Sequence, residues 1–375
     1  MPRSSKAKSG WRWYSRAREA SVMEKYPFLS PSGRRGYVRS FSDYIEVEYE
    51  GEPSSLYLWS QGSGSLYRGS TGFFKSVYEP PLAEKGWSTE APVEDRVAEV
   101  ARRHGEKLKG KHVMADLSGG KDSTANLYLL TKLQEIVGFK VTAVYVHMPY
   151  LEPVENIAFA EKVASRLGVD LRIVEPDRRK LEFYLLREGL PKRGDRWCTY
   201  LKTRALREAK KEIGAEVEAK AERALEAGKR YERLSGLAKR KVYFNGGVVN
   251  LVHDLSAAEV AGIVRRAGLV HPHYLQGLPR VSCRFCPYRG LYELEVSSKH
   301  EVEDEGLVEW VMARTYRNYY SSVTPLETFL ELHLWRYTPS VARLRVLEAG
   351  YVDPDSKISL SEARKMFSWI WVGKA

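Results

Sequence analysis

The stretch HVMADLSGGKDSTANLYLLTKLQEIVG, residues 112–138, decides the fold of this chain. A short apolar run ends at a pair of glycines, and a segment with helical spacing of apolar residues follows. Farther along, strand-like segments at 140–148 and 169–176 flank a helical pattern at 153–168. This alternation of strands and helices predicts an α/β fold with a doubly wound parallel sheet and right-handed crossovers.

The loop SGGKDS, residues 118–123, has the composition of a phosphate-binding turn. Glycines let the backbone wrap an anion, and the N–H groups that begin the next helix are unpaired at the positive end of its dipole. Lys121 adds a charge, Ser118 and Ser123 add hydroxyl donors, and Asp122 can cap the helix or help to hold Mg²⁺. The loop is not a Walker A sequence, because GxxxxGK followed by Ser or Thr is absent.

Composition divides the chain into three regions. Residues 1–85 form a basic, aromatic N-terminal domain in which YIEVEYE and SSLYLWS predict two strands. Residues 86–295 hold the α/β pattern, and residues 296–375 read as a helical C-terminal region. The Gly- and Ser-rich segment 62–72 predicts a loop, and the charged segment 201–241 predicts helix with a solvated face.

Positive charge is concentrated at the N-terminus. The chain has 60 Lys and Arg against 48 Asp and Glu, a net charge of +12. Basic residues and aromatic side chains are interleaved over residues 1–40, as suits a nucleic-acid backbone and unpaired bases. A solubilising basic arm is the alternative.

No apolar run approaches the roughly 18 residues of a membrane span, and no secretory signal is readable. We therefore expect a cytoplasmic protein without a membrane partner.

The chain has only three cysteines, Cys198, Cys283 and Cys286. An odd number in a protein of this type argues against a disulfide framework. Three readings remain open: an iron–sulfur cluster with one iron not held by cysteine, a zinc site, or reactive or structural thiols. A zinc ion would need a fourth ligand, for which the candidates are Asp195, His271 and His273.

The SGGKDS loop after a strand resembles the PP-loop of the ATP-pyrophosphatase superfamily. Over residues 110–290 the chain is also similar to the phosphoadenosine-phosphosulfate (PAPS) reductase family in its broad sense. The shared motifs, in chain order, are the PP-loop, RWCT, GKRYERLS, HPHY and CRFCP. The resemblance implies an adenine nucleotide alpha hydrolase-like, Rossmann-like fold, and cleavage of ATP between its α- and β-phosphates with Mg²⁺ while a substrate oxygen is adenylated.

The resemblance also implies site residues. The nucleotide-binding set is Ser118, Gly119, Gly120, Lys121, Asp122, Ser123, His147, Lys202, Arg230 and Arg280. The catalytic set is Lys121, Asp122, Cys198, Cys283 and Cys286, and the three cysteines are the expected metal ligands of a 4Fe–4S cluster. The sequence YERLS departs from the family's Glu-Ser pair, so Glu232 and Arg233 are weaker candidates. Three histidines lie near the cysteine pair in sequence, namely His253, His271 and His273. The expected role is metal ligation or substrate positioning, and the alternative is a place on the surface or in loop packing.

Two departures from the reductases direct the functional prediction. No cysteine follows Cys286, so the C-terminal catalytic cysteine of sulfonucleotide reductases is missing, and the ATP-type loop is complete. The prediction is an ATP-dependent thiolation enzyme, a sulfurtransferase that adenylates a nucleic-acid base, in the first place in tRNA, at the PP-loop. It takes sulfur from a donor and delivers it from a three-cysteine iron–sulfur site. A sulfonucleotide reductase and a non-catalytic RNA- or ribosome-binding protein are the alternatives. A homodimer is left open.

Overall fold

The computed structural model describes residues 24–60, 63–70, 88–347 and 351–372. Most of the basic, aromatic N-terminal segment, residues 1–23, lies outside the described residues, so its predicted contact with nucleic acid stays a prediction.

Twelve strands are present in the described residues: β1 Tyr26–Leu29, β2 Arg35–Ser40, β3 Tyr44–Tyr49, β4 Ser55–Ser60, β5 Ser65–Ser70, β6 His112–Leu117, β7 Lys140–Val146, β8 Asp170–Val174, β9 Val217–Ala219, β10 Phe244–Asn245, β11 Val248–Val249 and β12 Tyr351–Ser359. The α-helices described are α1 Val93–Leu108, α2 Lys121–Val137, α3 Glu155–Leu167, α4 Arg178–Glu188, α5 Trp197–Glu212, α6 Gly228–Lys239, α7 Ala257–Arg266, α8 Pro272–Leu275, α9 Leu291–Val296, α10 Glu305–Thr315, α11 Leu326–Glu331, α12 Pro339–Leu347 and α13 Leu360–Val372.

The central sheet confirms the predicted α/β fold. Its strand order is β10-β11-β9-β6-β7-β8, and all neighbours are parallel except β10, which runs antiparallel to β11. The apolar runs of β6 and β7 are buried, as expected for strands covered by helices on both faces. The chain proceeds from β6 through β7 to β8 and then returns to β9 on the other side of β6. The switch point of the sheet therefore lies at the end of β6, where α/β proteins bind ligands.

A second sheet is antiparallel and has the order β1-β2-β3-β4-β5-β12. It contains the two strands predicted at the N-terminus, but the loop predicted at 62–72 is wrong, because Ser65–Ser70 is strand β5 with Leu66 fully buried. The C-terminal region is not purely helical, since β12 pairs with β5. Strand β12 was not predicted because its residues are mostly polar and include Pro354. Its pairing with β5 shifts register between Val352 and Lys357.

The charged segment 201–241 is not one continuous helix. Helix α5 ends at Glu212, and Gly214 adopts a left-handed φ of 66°. Strand β9 follows and fills the place between β6 and β11. Pairing in the sheet outweighs helix propensity here. As a result, the residues that follow β9 lie at the switch point.

The core is organised around two centres. One lies on the central sheet and includes side chains of β1 and α13, where Tyr26 meets Phe367 with ring centroids 5.9 Å apart. This packing docks the N-terminal sheet over the end of β6. The other centre lies under the C-terminal helices and has Cys198 and Cys283 packed at its edge. Among the described residues, no helix combines the length and apolar character needed to cross a bilayer.

Candidate active site

The PP-loop connects β6 to α2 in a conformation that needs glycine. Gly119 has a φ of 73°, in the left-handed region that other residues rarely adopt. The hydroxyl of Ser123 accepts a hydrogen bond from the Ser118 N–H at 3.1 Å and donates one to the carbonyl of Gly120 at 3.0 Å. Ser123 therefore braces the loop from within. Gly120 precedes the first helical residue, so the N–H groups of Asp122 and Ser123, two residues that line the cleft, have no partner within the helix.

Lys121 is the central charge of the loop and is 3 % exposed. Its Nζ lies 3.1 Å from Glu24 Oε2 and 3.4 Å from Asp122 Oδ2, and its backbone N–H donates to the Tyr274 hydroxyl at 2.7 Å. Burial opposes the charge of Lys121, but Asp122 and Glu24 raise its pKa well above the ordinary value. Lys121 is therefore a charged group held in a fixed place.

Arg223 and Glu24 complete the ion cluster, and sequence reading missed both. Arg223 is fully buried and pairs with Asp122 and Glu24. Burial would raise the pKa of Glu24, but Arg223 and Lys121 lower it below its usual value, so the carboxylate stays ionised. The N-cap residue of α2 is Gly120 and not Asp122, and the carboxylate of Asp122 accepts a hydrogen bond from Arg223. Arg223 follows strand β9 and so lies at the switch point of the sheet. The helix predicted over 201–241 gave no indication of this position.

Two cations and two carboxylates thus neutralise one another at the loop. A buried charge requires such a partner. Lys121, Asp122 and Glu24 line the cleft, whereas Arg223 is fully buried and pairs with both carboxylates from behind them.

The cleft around the loop has a volume of about 460 Å³. Three predicted basic residues from separate parts of the chain lie in its wall, namely Lys202, Arg230 and Arg280. Arg280 is held by Glu293 at 2.9 Å, and Arg230 pairs with Glu226. The cleft is therefore lined by positive groups on several sides, each with an acidic neighbour that phosphate oxygens can replace.

Asp116, in β6, also lines the cleft and was not among the predicted residues. Burial, and then the charge of Glu218, raise its pKa to about 7. Its Oδ1 is buried without a hydrogen-bond partner. A carboxyl group that titrates near neutral pH beside a nucleotide loop is a candidate proton carrier.

Other predicted residues lie apart from the cleft. His147 is buried at the end of β7, with Nδ1 3.9 Å from Glu152 Oε2, and does not line the cavity. Arg233 pairs with Glu222 at 2.8 Å on α6. His253 is buried beside Asp254, with Nδ1 3.6 Å from its carboxylate. The structure gives none of these three side chains a place on the phosphate path, and their roles stay predictions. Glu232 and Asp195 are exposed.

The three cysteines come from two segments. Cys198 is the second residue of α5, and Cys283 and Cys286 flank a turn in which the Cys286 N–H donates to the Cys283 carbonyl at 3.2 Å. Burial raises the pKa of the Cys198 and Cys283 thiols above the ordinary value. Within the described chain the three sulfur atoms are not close together, since they do not form a group within 4.8 Å of one another.

Lys202 connects the cysteines to the cleft. It lies one helical turn after Cys198 and lines the cavity, as does Ser282, the neighbour of Cys283. Burial would lower the pKa of Lys202, but Glu152 and all three thiols raise it. The three thiols are therefore near enough to Lys202 to affect its charge, and Lys202 borders the cleft of the PP-loop.

The histidines named as fourth ligands lie with other partners. His271 packs against Phe159 with ring centroids 4.3 Å apart, and His273 Nε2 is 3.0 Å from Glu155 Oε1. Neither belongs to a ligand group with the cysteines in the described part of the chain.

A family model described as the phosphoadenosine phosphosulfate reductase domain matches residues 112–288. No curated protein matches the chain. Solved structures with a similar fold include the U34-tRNA thiolase NcsA from Methanococcus maripaludis with its 4Fe–4S cluster, at 17 % identity over 65 % of this chain and 86 % of that one, with a TM-score of 0.40. They also include the NAD⁺ synthetase from Burkholderia pseudomallei, at 15 % identity over 63 % of this chain and 96 % of that one, with a TM-score of 0.34. Likenesses at this level say nothing about activity, which has to be inferred from the residues of the chain itself.

Proposed function

We propose that the protein is an ATP-dependent sulfurtransferase that acts on a nucleic-acid base, in the first place in tRNA. The premise is that residues 112–288 form a phosphoadenosine phosphosulfate reductase-like domain of the PP-loop ATP pyrophosphatase superfamily. One observation carries the proposal: Lys202 lines the cleft of the PP-loop and is within electrostatic reach of all three cysteines. A phosphate site and a thiol site therefore border one another.

The PP-loop side performs the activation. A carbonyl oxygen of the base attacks the α-phosphorus of ATP, and the bond to the bridging oxygen of the β-phosphate breaks. Pyrophosphate leaves, and its growing charge is stabilised by Lys121 and the N–H groups of Asp122 and Ser123, with the charge of Arg223 behind them. Glu24 must give up its contacts with both cations as the phosphates arrive. Asp122 offers carboxylate oxygens, the ligand type that Mg²⁺ prefers.

The sulfur side completes the exchange. Sulfide from a donor attacks the activated carbon, a carbon–sulfur bond forms, and AMP departs with the original oxygen. No oxidant or reductant is needed, because sulfide replaces an oxygen at the same oxidation level. Lys202 is placed to neutralise charge between the departing AMP and the cysteines.

Cysteine thiolates are ligands both of iron–sulfur clusters and of zinc. Among the described residues no His, Asp or Glu side chain forms a compact ligand group with the three cysteines, so the fourth ligand that a tetrahedral zinc ion needs is not in place. The proposal therefore takes the cluster. Cys198, Cys283 and Cys286 would hold three irons, and such a cluster supplies, when bound, an iron without a cysteine ligand where sulfide can be held.

Nucleic acid is favoured by the surface near the thiols. Tyr288, two residues after Cys286, lies beneath the guanidinium of Arg196 at 4.9 Å, and Arg196 is exposed two residues before Cys198. Tyr200, on the same helix, is 55 % exposed. Aromatic and arginine faces of this kind bind unpaired bases by stacking. The net charge of +12 supports an anionic partner.

The test uses the full chain, reconstituted anaerobically with iron and sulfide, and incubated with ATP, sulfide and unmodified tRNA. We expect AMP and pyrophosphate to form in proportion to a thiolated nucleoside, measured by chromatography and mass spectrometry. Release of sulfite from an added sulfonucleotide in the presence of a thiol reductant, with no pyrophosphate formed from ATP, would identify a reductase instead. Tight tRNA binding with neither product would identify a non-catalytic binding protein.

A further inference from the structure

We propose that Glu155, His273 and His300 form a binding site for a divalent transition-metal ion of the zinc class, separate from the cysteines and from the PP-loop. The three residues come from distant positions: the start of α3, the short helix α8, and the loop after α9. One ligand atom from each lies within 4.8 Å of the others, and within the described ranges no other set of three His, Cys, Asp or Glu side chains does this.

The distances suit one ion. His273 Nε2 lies 3.0 Å and His300 Nδ1 3.8 Å from the same oxygen, Glu155 Oε1. Tetrahedral zinc with bonds of about 2.0–2.2 Å separates its ligand atoms by roughly 3.3–3.5 Å, between these two values. The two imidazole rings are stacked, with centroids 4.1 Å apart and planes inclined by 10°. Ligation therefore requires the rings to turn toward the shared oxygen about χ2, which is a broad torsion in histidine.

His300 has the tautomer of a metal ligand. Its Nε2 lies 2.7 Å from the amide oxygen of Gln276, so this nitrogen carries the proton and donates it. Nδ1 is then left with a lone pair that faces the carboxylate of Glu155 at 3.8 Å, an unfavourable pairing unless a cation lies between them. Histidines that bind metals commonly donate their other N–H to a protein oxygen in this way.

Burial makes the unpaired nitrogen of His300 costly. His273 is 0 % and His300 is 7 % exposed, and the Nδ1 atom of His300, which faces Glu155, is buried without a hydrogen-bond partner. An unpaired buried polar atom is destabilising, so this nitrogen calls for a ligand. The side chain of Glu155 is 39 % exposed, which leaves a route for an ion from solvent. The charge of Arg284, which bears on His300, is already matched by Glu305 at 2.6 Å.

The site would hold a turn that supports the PP-loop. His273 is followed by Tyr274, whose hydroxyl accepts the hydrogen bond from the backbone of Lys121 at 2.7 Å. An ion on His273 therefore ties α8 to α3 directly behind the loop. Two imidazoles and one carboxylate suit zinc and neighbouring first-row ions, with water at the remaining position.

The experiment separates this site from the thiols. The full chain with Cys198→Ser, Cys283→Ser and Cys286→Ser is freed of metal and titrated with Co²⁺, followed by visible absorption. We expect one equivalent to bind, with the d–d bands of nitrogen and oxygen ligation and without a sulfur charge-transfer band. His273→Gln or His300→Gln in this background should weaken binding by 100-fold or more, and Glu155→Gln by tenfold or more.

His253→Gln is the matched control, because His253 is equally buried, has unpaired ring nitrogens and lies beside a carboxylate, but belongs to no ligand group among the residues that the structure describes. It should bind Co²⁺ as the parent does. Unchanged far-UV circular dichroism of the metal-free Glu155→Gln protein shows that it folds. The proposal is overturned if the triple-serine protein binds no stoichiometric Co²⁺, or if His273→Gln and His300→Gln bind Co²⁺ as tightly as that parent protein does. No ATP or RNA is present, so the result is independent of the proposed sulfurtransferase activity.

Discussion

The cleft of the PP-loop and the region of the three cysteines, which we propose to be the phosphate site and the thiol site, differ in how they are prepared. At the PP-loop every charge already has a partner, since Lys121 and Arg223 meet Asp122 and Glu24. At the thiol site, burial raises the pKa of Cys198 and Cys283, so neutral thiols await deprotonation. The first site is preorganised and must release a carboxylate to work, whereas the second must be loaded. Variants that separate activation from sulfur transfer test this difference.

The largest effect is expected from Lys121→Met. Removing the buried ammonium takes away charge stabilisation at the leaving pyrophosphate, which for a single preorganised donor is worth about 100- to 1000-fold in rate. AMP formation, measured with α-labelled ATP, should fall by at least that factor. Lys132→Met, on the exposed part of the same helix where Lys132 pairs with Glu135, should leave the rate unchanged. Equal activity of both variants would remove the PP-loop from the reaction.

Cys283→Ser and Cys198→Ser should have the next largest effect, and on a different readout. Loss of a side chain that merely supports a metal ligand already costs about 10- to 100-fold, so loss of a ligand should reduce the thiolated nucleoside by more than about 100-fold. First-turnover formation of pyrophosphate with tRNA should stay within about threefold, because Lys121 and Arg223 are untouched, whereas AMP release should fall together with the thiolated product. If first-turnover pyrophosphate formation is lost to the same extent as the thiolated product, the two sites do not act separately.

Glu24→Gln should strengthen ATP binding. The neutral amide leaves Lys121 and Arg223 with unmatched positive charge, so the phosphates no longer displace a carboxylate. We expect the Kd for ATP, measured by isothermal titration calorimetry, to fall by about tenfold, equivalent to about 1.4 kcal/mol. Glu48→Gln is the control, since Glu48 pairs with Lys25 on the same sheet at 2.9 Å. Weaker ATP binding in Glu24→Gln would mean that Glu24 positions Lys121 for the nucleotide.

The smallest effect concerns Asp116 and depends on pH. The pKa of Asp116 is raised to about 7 in the folded chain, so folding takes up a proton and stability falls as pH rises from about 4 to about 7. Asp116→Asn removes this penalty. Its melting temperature should exceed that of the unaltered chain by about 5 °C at pH 8 and by about 0 °C near pH 4. Asp170→Asn, at an exposed position, should show no such trend. A constant difference across pH would refute the raised pKa.

Local pattern predicted what local physics controls. Strand β6, the glycine loop and helix α2 follow one another within 27 residues, so apolar spacing and the glycine pair were sufficient to predict them. The basic residues Lys202, Arg230 and Arg280 were found through motif resemblance, and the fold brings all three into the wall of one cleft.

Sequence reading failed where pairing in the sheet outweighs local propensity. The helix predicted over 201–241 is broken by β9, and the polar segment at 351–359 becomes a strand because β5 offers an unpaired edge. Both errors had the same cause: a strand's partner lies far away in the chain and leaves no local signal.

By itself, therefore, the sequence determined the parallel sheet, the phosphate loop and the identity of the three thiols, because each depends on contiguous residues or on a rare residue type. Only the tertiary structure decided which groups face Lys121 and which histidines meet Glu155. Glu24 lies 97 residues and Arg223 101 residues from their partners in the loop, and Glu155 lies 118 residues from His273. Such pairings follow from the strand order and from the docking of the N-terminal sheet, where burial makes each charge depend on its partner.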